Sequence, residues 1–476
     1  MNYHDTLNFI YSFSDFERNG TFSRTEDPYF TRFRALMRLL NNPQNTYPTI
    51  HIAGTKGKGS VSALIESAMR ANNYQTGLYT SPDLHTLRER IMIQGKPISE
   101  EETCELAEEV QAAIARMPVE LASGLITFEI ITAMAFLAFA KRHVHIAIIE
   151  TGLGGRLDPT NIIQPVLCII TSISFDHMAI LGGTIRQIAG EKAGIIKDNG
   201  LVIVSAEHPD ALEVIQQTAA KRAAQIISVT GSSGAVSDEH TYIYPEQEYS
   251  VYKENGRFFQ KFQIIHAEQH ISCSIPLLGA HQRQNAGAAL AAVQTLNTKG
   301  FPANIERTAF GFATVQWPAR LQLVGESPLI FIDGAHNADS LQKTLQTICK
   351  DIPYQRMHIL AGSLKDKDIA GMTQILRQES VRLHSLVICE KFSPRAAAAE
   401  IWQEHLAEWP EEEDPNIQYA DLFEAGLYLI EENAKPDDLI LITGSLYLAA
   451  IALQHIATTR KDSAAASITI YGQDHA

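Results

Sequence analysis

Nine short runs of aliphatic and β-branched residues, most ending in small or polar residues, alternate with segments of helical period. This alternation constrains the fold of the 476-residue chain more than any other feature. The runs are TIHIAG (49–54), TGLYTS (76–81), HIAIIETG (145–152), VLCIITSIS (166–174), LVIVSA (201–206), PLIFIDGAHN (328–337), MHILAGS (357–363), LVICEK (386–391) and DLILITGS (438–445). Near-continuous hydrophobicity marks strands covered on both faces, as in parallel sheets. Between the first two runs, Val61, Leu64, Ile65, Ala68 and Met69 fall on one helical face. The chain therefore reads as α/β with parallel sheets. Residues 241–276 break the pattern: apolar and polar residues alternate around Glu254-Asn255-Gly256, which predicts an antiparallel hairpin subdomain. A helix is expected from about His281 to Thr298. The boundary between two domains, 1–300 and 301–476, is placed at the following KGFPAN turn, where strand–helix alternation restarts. The Ala/Ser-rich tail from Lys461 reads as loosely ordered.

Composition excludes several classes. Apolar residues make up 45% of the chain, too many for a disordered protein, and acidic residues outnumber basic ones 54 to 39. A net charge of −15 argues against a nucleic-acid partner, which needs Lys and Arg against phosphate. Cys104, Cys168, Cys273, Cys349 and Cys389 are odd in number, scattered and without a CxxC pair, so neither a disulfide framework nor a thiolate zinc site is indicated. The N-terminus has no basic region leading into an apolar core. The greasiest run, Ile130 to Ala140, is 11 residues long, against about 20 for a membrane span. A soluble, cytoplasmic protein without a membrane partner is expected.

Residues 51–70, HIAGTKGKGSVSALIESAMR, run strand, glycine loop, helix. Gly54, Gly57 and Gly59 let backbone N–H groups face a phosphate without an intervening Cβ, Lys58 adds a point charge, and the helix N-terminus adds its partial positive charge. The loop departs from GxxxxGK[ST]: counted back seven from Ser60, the first glycine position holds Ala53, and Lys58 is followed by Gly59 where a magnesium-binding hydroxyl is usual. Ser60, or Ser81 at the end of the next strand, could supply that hydroxyl.

At this point the sequence resembles the Mur ligase superfamily, specifically its dihydrofolate synthase / folylpolyglutamate synthase branch. Eleven motifs carry the resemblance in order along nearly the whole chain. GTKGKGS (54–60), YTSP followed by RERIMIQGKPIS (79–99), ITFEIITAMAF (126–136), IIETGLGGRLDPTN (148–161), SISFDHMAILG (172–182) and GEKAGIIK (190–197) lie in the first part. LLGAHQRQNAGAAL (277–290), WPAR (317–320), DGAHN (333–337), LKDKD (364–368) and TGSLYL (443–448) follow. The resemblance implies a P-loop-type parallel sheet domain of the Mur-ligase central type, holding ATP, metal and acceptor, and a smaller Rossmann-like C-terminal domain that closes over nucleotide and glutamate. The activity it implies is ATP-dependent ligation of L-glutamate to a pterin-type carboxylate through an acyl phosphate. The bifunctional form, acting on dihydropteroate and then on reduced folates, is favoured over a monofunctional enzyme. A P-loop switch without ligase activity is the rival from another class, and the candidate metal set argues against it.

Site roles follow from the resemblance position by position. Gly54, Thr55, Lys56, Gly57, Lys58, Gly59 and Ser60 would form the ATP loop, with Asn285, Arg320, Asp333 and His336 as further nucleotide contacts. Ser81 and Glu150 would hold a first Mg²⁺, and His177 with Lys192, the latter as a carbamate, a second; a monovalent cation is a further candidate. Asp176 could orient His177. Lys58, His177, Lys192 and Arg320 would carry the chemistry. Thr127, Phe128, Glu129, Arg156, Leu157 and Asp158 would lie near the acceptor. Two positions depart from the family pattern: Asp83 replaces the histidine of SPHL, which bears on acceptor choice, and Lys56 stands where many bacterial members have Asn. A monomer is expected.

Overall fold

The hydrophobic runs become strands at the centres of two sheets. The computed structural model describes residues 1–14, 30–231, 238–379, 383–407, 409 and 415–460, so the tail from Lys461 lies outside the described residues. The first sheet contains β1 (Thr49–Ala53), β2 (Thr76–Tyr79), β3 (Ile91–Ile93), β4 (Lys96–Pro97), β5 (Ile146–Glu150) and β6 (Leu167–Ile170). It continues with β7 (Leu201–Val204), β8 (Gln225–Gly231), β9 (Thr241–Tyr244), β10 (Tyr249–Glu254), β11 (Arg257–His266) and β12 (Gln269–Ile275). Its order is β10-β11-β9-β8-β7-β6-β1-β5-β2-β3-β4, with β12 pairing β11. The pairings from β2 through β9 are parallel, and the two ends are antiparallel. β1 is central and buried at every position, with Ile50 in register between Ile148 and Leu167. Both faces of TIHIA are therefore covered, and its buried imidazole, His51, is answered by Thr160 Oγ1 at 2.8 Å.

The helix at Lys58–Ala71 covers one face of this sheet and is itself covered, burying every residue from Ser60 to Met69. The helix at Ile305–Ala313 lies across it: Ser67 Oγ donates to the Gly311 carbonyl at 2.6 Å, and a Cβ on Gly311 would stand 2.6 Å from Ala68 Cα. Only glycine permits this approach. Phe312 and Val315 belong to the same core as β1, so the chain stays on the first unit well past residue 300. On the other face, the apolar run of the sequence is a buried helix, Thr127–Lys141, whose Phe136 and Phe139 are fully enclosed. Each such ring contributes roughly 1.5–3 kcal/mol on burial.

The expected hairpin is present. β10 and β11 join through Asn255 (φ 50°) and Gly256 (φ 71°), two successive left-handed residues as a tight hairpin turn requires. Val251 and Phe258 of this hairpin pack into the core of the second unit, with Phe258 and Phe331 ring centroids 5.7 Å apart. The hairpin thus straps the units together.

The second sheet comprises β13 (Gln322–Glu326), β14 (Leu329–Ile332), β15 (Met357–Ala361), β16 (Leu383–Cys389), β17 (Asn416–Ala420) and β18 (Leu439–Thr443), in the order β13-β14-β18-β15-β16-β17. Only the β13 edge is antiparallel. Apolar clusters on both faces make this a covered, mostly parallel α/β sheet as well. Ligands of open α/β sheets bind beyond the carboxyl ends of the strands. The ends of β1, β2, β5 and β14 contribute residues to one region between the units, described next.

Candidate active site

β1 ends at Ala53 and the chain turns into a loop pinned from several sides. Thr55 N–H donates to Ser172 O (2.8 Å), Thr171 Oγ1 donates to Lys56 O (2.7 Å), and Lys192 Nζ donates to Gly54 O (2.9 Å). The three glycines have separate reasons. Gly57 precedes the helix at φ +89°, and a Cβ there would meet Asn285 Oδ1 at 2.4 Å; one on Gly54 would meet Thr171 Oγ1 at 1.7 Å. One on Gly59 would meet the Trp317 ring at 2.5 Å, so the indole lies directly on the loop. The loop is a backbone cradle closed on one side by Asn285 and Trp317.

At the head of the cradle, Lys58 Nζ stands 3.7 Å from Glu150 Oε1. Glu150 is buried, and its second oxygen, Oε2, has no hydrogen-bond partner. Burial pushes the Glu150 carboxyl up to about 7, against the opposing influence of Lys58, the Ser81 backbone and Arg320. The structure brings Lys58, Ser81, Glu150 and Arg320 into one place. Gly59, Ser81, Glu150, Trp317 and Arg320 line one interdomain cavity of about 320 Å³.

A second group lies beyond β6. Lys56 Nζ is 3.6 Å from Asp176 Oδ2, and His177 Nε2 is 3.8 Å from Asp176 Oδ1. His177 takes a left-handed backbone (φ +48°), uncommon for a residue with a Cβ. Burial would raise the Asp176 carboxyl, but Lys56 and His177 outweigh it and hold it at about 2. Lys192 is buried, and the loss of solvent, with Lys58 nearby, brings its amine down to about 7. From the second unit, His336 faces this group: burial and Lys56 push its ring down to about 3. Asp333, just past β14, accepts from the Leu321 and Ala335 N–H groups (2.7 and 2.9 Å) and from Thr344 Oγ1 (3.0 Å). That bonding orders the turn beside Arg320.

The acceptor candidates divide. Phe128 packs over the turn after β5, where a Cβ on Gly152 would meet its ring at 2.5 Å. Thr127 and Glu129 are turned to structural tasks. Thr127 Oγ1 donates to Phe13 O (3.1 Å), while Glu129 accepts from Arg32 Nε (3.0 Å) and from the Ile126 N–H (3.0 Å). Asp158 organises its own loop, accepting from the Gly152, Leu153 and Thr160 N–H groups. Arg156 is exposed and paired with Glu191 (2.7 Å), and Leu157 beside it is partly buried.

Three participants carried no role from sequence. Trp317 was visible only as the first letter of WPAR, and its packing on Gly59 comes from folding. Lys367, from LKDKD, faces Asp176 and His336 across the cleft. His85 lies two residues beyond Asp83 in the wall of the same cavity. Its Nε2 is 3.0 Å from Ala450 O in the second unit, and Asp83 pairs with Arg90. The acid at position 83 thus leaves the wall with a histidine, displaced by two residues.

Among the described residues, no three His, Cys, Asp or Glu side chains converge as a metal-binding group. A buried carboxylate with an unpartnered oxygen, beside a serine and a cradle of backbone N–H groups, instead suits Mg²⁺, which takes one or two protein oxygens along with those of a phosphate.

The Mur ligase middle domain model matches residues 52–293, and the Mur ligase glutamate ligase domain model matches residues 319–446. The chain is 35% identical over 427 residues to the dihydrofolate synthase/folylpolyglutamate synthase of Bacillus subtilis, covering 88% of this chain and 93% of that protein. Among solved structures, Mycobacterium tuberculosis folylpolyglutamate synthase complexed with ADP is similar with a TM-score of 0.82 and 30% identity, over 96% of this chain and 98% of that one. An FPGS–AMPPCP–folate complex is similar with a TM-score of 0.79 and 30% identity, over 96% and 100%.

Proposed function

The chain belongs to the dihydrofolate synthase/folylpolyglutamate synthase branch of the Mur ligase superfamily, and on that premise we propose how its site works. It is an ATP-dependent, ADP-forming ligase that joins glutamate to folate-type carboxylates. We take it as bifunctional, adding the first glutamate to dihydropteroate and later ones to reduced folates, and as a cytoplasmic monomer. Among the described residues no helix is long and apolar enough to cross a membrane. The unit boundary is proposed after the helix at Ile305–Ala313, near Pro318, in place of residue 300, because that helix packs on the first unit.

The observation that carries the reading is the Lys58–Glu150 pair at the head of a cavity that also holds Arg320 from the second unit. In the first step an acceptor carboxylate oxygen attacks the γ-phosphorus of ATP, and ADP leaves. In the second the amine of glutamate attacks the acyl phosphate, an amide C–N bond forms, and phosphate departs. Lys58 and the loop N–H groups hold the phosphate charge from below, and Arg320 approaches from the second unit. Asn285 and His336 border the nucleotide, Asp333 positions the turn, and Phe128 offers a ring to the acceptor heterocycle. Glu150 and Ser81 would hold one Mg²⁺, and His177 with Lys192 a second; when bound, the metal supplies neutralisation of phosphate charge. The depressed Lys192 amine supports the carbamate reading, since only a neutral amine adds CO₂. Closure of two units over the cavity would keep water from the acyl phosphate.

Purified protein incubated with ATP, Mg²⁺ and glutamate should release ADP with dihydropteroate and with tetrahydrofolate in parallel, each product gaining one glutamate mass. Turnover with only one acceptor would make the enzyme monofunctional and direct attention to Asp83 and His85. ATP binding without turnover on either would favour the switch.

A further inference from the structure

Charge along the interdomain cavity is unevenly matched. The carboxylates of its wall are each answered at one oxygen or more: Asp83 pairs with Arg90, Glu89 accepts from the Leu84 N–H (2.8 Å) and faces the His85 ring (3.3 Å), and Glu150 stands by Lys58 through Oε1 with Oε2 left open. Two guanidinium groups of the wall are not. Arg320 donates to its neighbour's carbonyl, Ala319 O, at 2.9 Å, and its proposed partner is the phosphate. Arg257, the first residue of β11, donates to Val315 O at 3.3 Å and lies 5.9 Å from the Phe259 ring centroid; among the described residues no carboxylate comes within ion-pairing distance of it.

Arg283, in the same unit, shows what a purely structural arginine looks like in this fold. Its Nε donates to Pro245 O (3.0 Å), its Nη1 to Gln260 Oε1 (2.8 Å) and its Nη2 to Glu246 O (2.8 Å), and its guanidinium stacks 3.7 Å over Tyr249. Arg283 spends its donors inside the chain. Arg257 faces a cavity with most of its donors unspent, although partial burial disfavours its charge and no nearby acid offsets that. A planar, permanently charged fork of this kind matches a carboxylate in two-point fashion.

We propose that Arg257 binds a glutamate carboxylate that does not react. The proposal rests on the ligase reading above. Two sources share this chemistry: the α-carboxylate of a glutamate already on the acceptor, and a carboxylate of the incoming L-glutamate. Dihydropteroate contains no glutamate, and its one carboxylate is consumed in the reaction, so it separates them.

Arg257→Gln keeps a donor for Val315 O and removes the charge; Arg257→Lys restores charge without the fork. If the acceptor tail is the ligand, Arg257→Gln lowers kcat/KM for tetrahydrofolate relative to dihydropteroate about tenfold or more, mainly through KM, and Lys recovers part of it. If incoming glutamate is the ligand, KM for L-glutamate rises by that factor with both acceptors, which also supports the assignment. Unchanged KM values for both overturn it. So does a fall in kcat for every substrate together with a lower thermal midpoint, which marks a structural arginine. Calorimetry of γ-glutamyl-glutamate and of L-glutamate on the wild-type protein and Arg257→Gln needs no turnover. Binding of either probe weakened about tenfold by the substitution upholds the site even if the ligase reading fails, and binding of neither probe, or equal binding to both proteins, removes it.

Discussion

Two buried polar clusters, at opposite ends of the strands in the two units, follow different rules. At the amino end of the second sheet, Asp438 accepts from Arg356 Nη2 (2.7 Å) and from the Lys435 N–H (2.7 Å). His358 bridges it to Ser385, with Nε2 at 3.3 Å from Asp438 Oδ2 and Nδ1 at 2.8 Å from Ser385 Oγ. The Ser–His–Asp succession copies the order of a nucleophilic triad, yet the histidine is sealed at 0% exposure, and each named group meets another within the chain. At the carboxyl end of the first sheet, Glu150 keeps an oxygen without a partner, and the Lys192 amine has a single carbonyl within reach of its bond. A cluster that satisfies itself stabilises the fold. One that leaves donors and acceptors open is poised for something outside the chain.

This contrast can be broken by experiment. Lys58→Met should lower kcat about 10³-fold, equivalent to about 4 kcal/mol of transition-state stabilisation, with little change in thermal midpoint. A loss below tenfold would take Lys58 out of the phosphate site. Asp438→Asn should do the opposite, costing about 2 kcal/mol in urea unfolding because a buried carboxylate loses its charge-assisted hydrogen bonds, while kcat of the folded enzyme stays near wild type.

The same substitution carries a pH signature. Burial would raise the Asp438 carboxyl, but Arg356, the Lys435 N–H and His358 together hold it well below the usual carboxylate range. A folded-state value below the unfolded one, which is about 3.9, means the stabilisation is complete above that value and fades as pH falls through it. The stability gap between wild type and Asp438→Asn should be flat from pH 8 to 5 and narrow below about pH 4. A gap that persists undiminished to pH 3 would mean that the aspartate acts through shape rather than charge.

Lys192→Met should separate function from stability at one residue. Turnover should collapse with ATP binding largely kept, while unfolding stability rises by about 1 kcal/mol, because a buried amine is replaced by an apolar chain of similar length. Full turnover would dismiss the carbamate. Smallest of all, Lys253→Met removes a partly exposed bridge to Glu326 (2.8 Å) between the hairpin and the second unit. It should shift stability by less than about 1 kcal/mol, since such pairs are solvent-screened.

Local chemistry explains what could be read in advance. β5 and β18 are nearly continuous apolar runs because both sheet faces are covered, and Asn255-Gly256 marks its turn because few other pairs tolerate two left-handed residues. The glycine loop, Lys58 and Glu150 were legible as a candidate site through spacing and strand-end position, and the structure brings them to one place. Thr127 and Glu129 show the limit of motif reasoning. They lie in the motif that resembles the acceptor region, yet their hydrogen bonds go to Phe13, Arg32 and Ile126, because polar residues at a buried helix start must satisfy the backbone and its neighbours first.

The sequence by itself determined two α/β units, a hairpin insertion and a glycine loop between strand and helix, because periodicity, turn chemistry and glycine placement act over a few residues. Tertiary structure alone decided which groups remain unspent. Trp317 resting on Gly59, His85 reaching Ala450 across the cleft, and Arg257 facing the cavity without an acid are relations between residues 258 and 365 positions apart in the chain, or between a side chain and open space. No local pattern encodes them, because a side chain's free donors are known only once every neighbour has been placed.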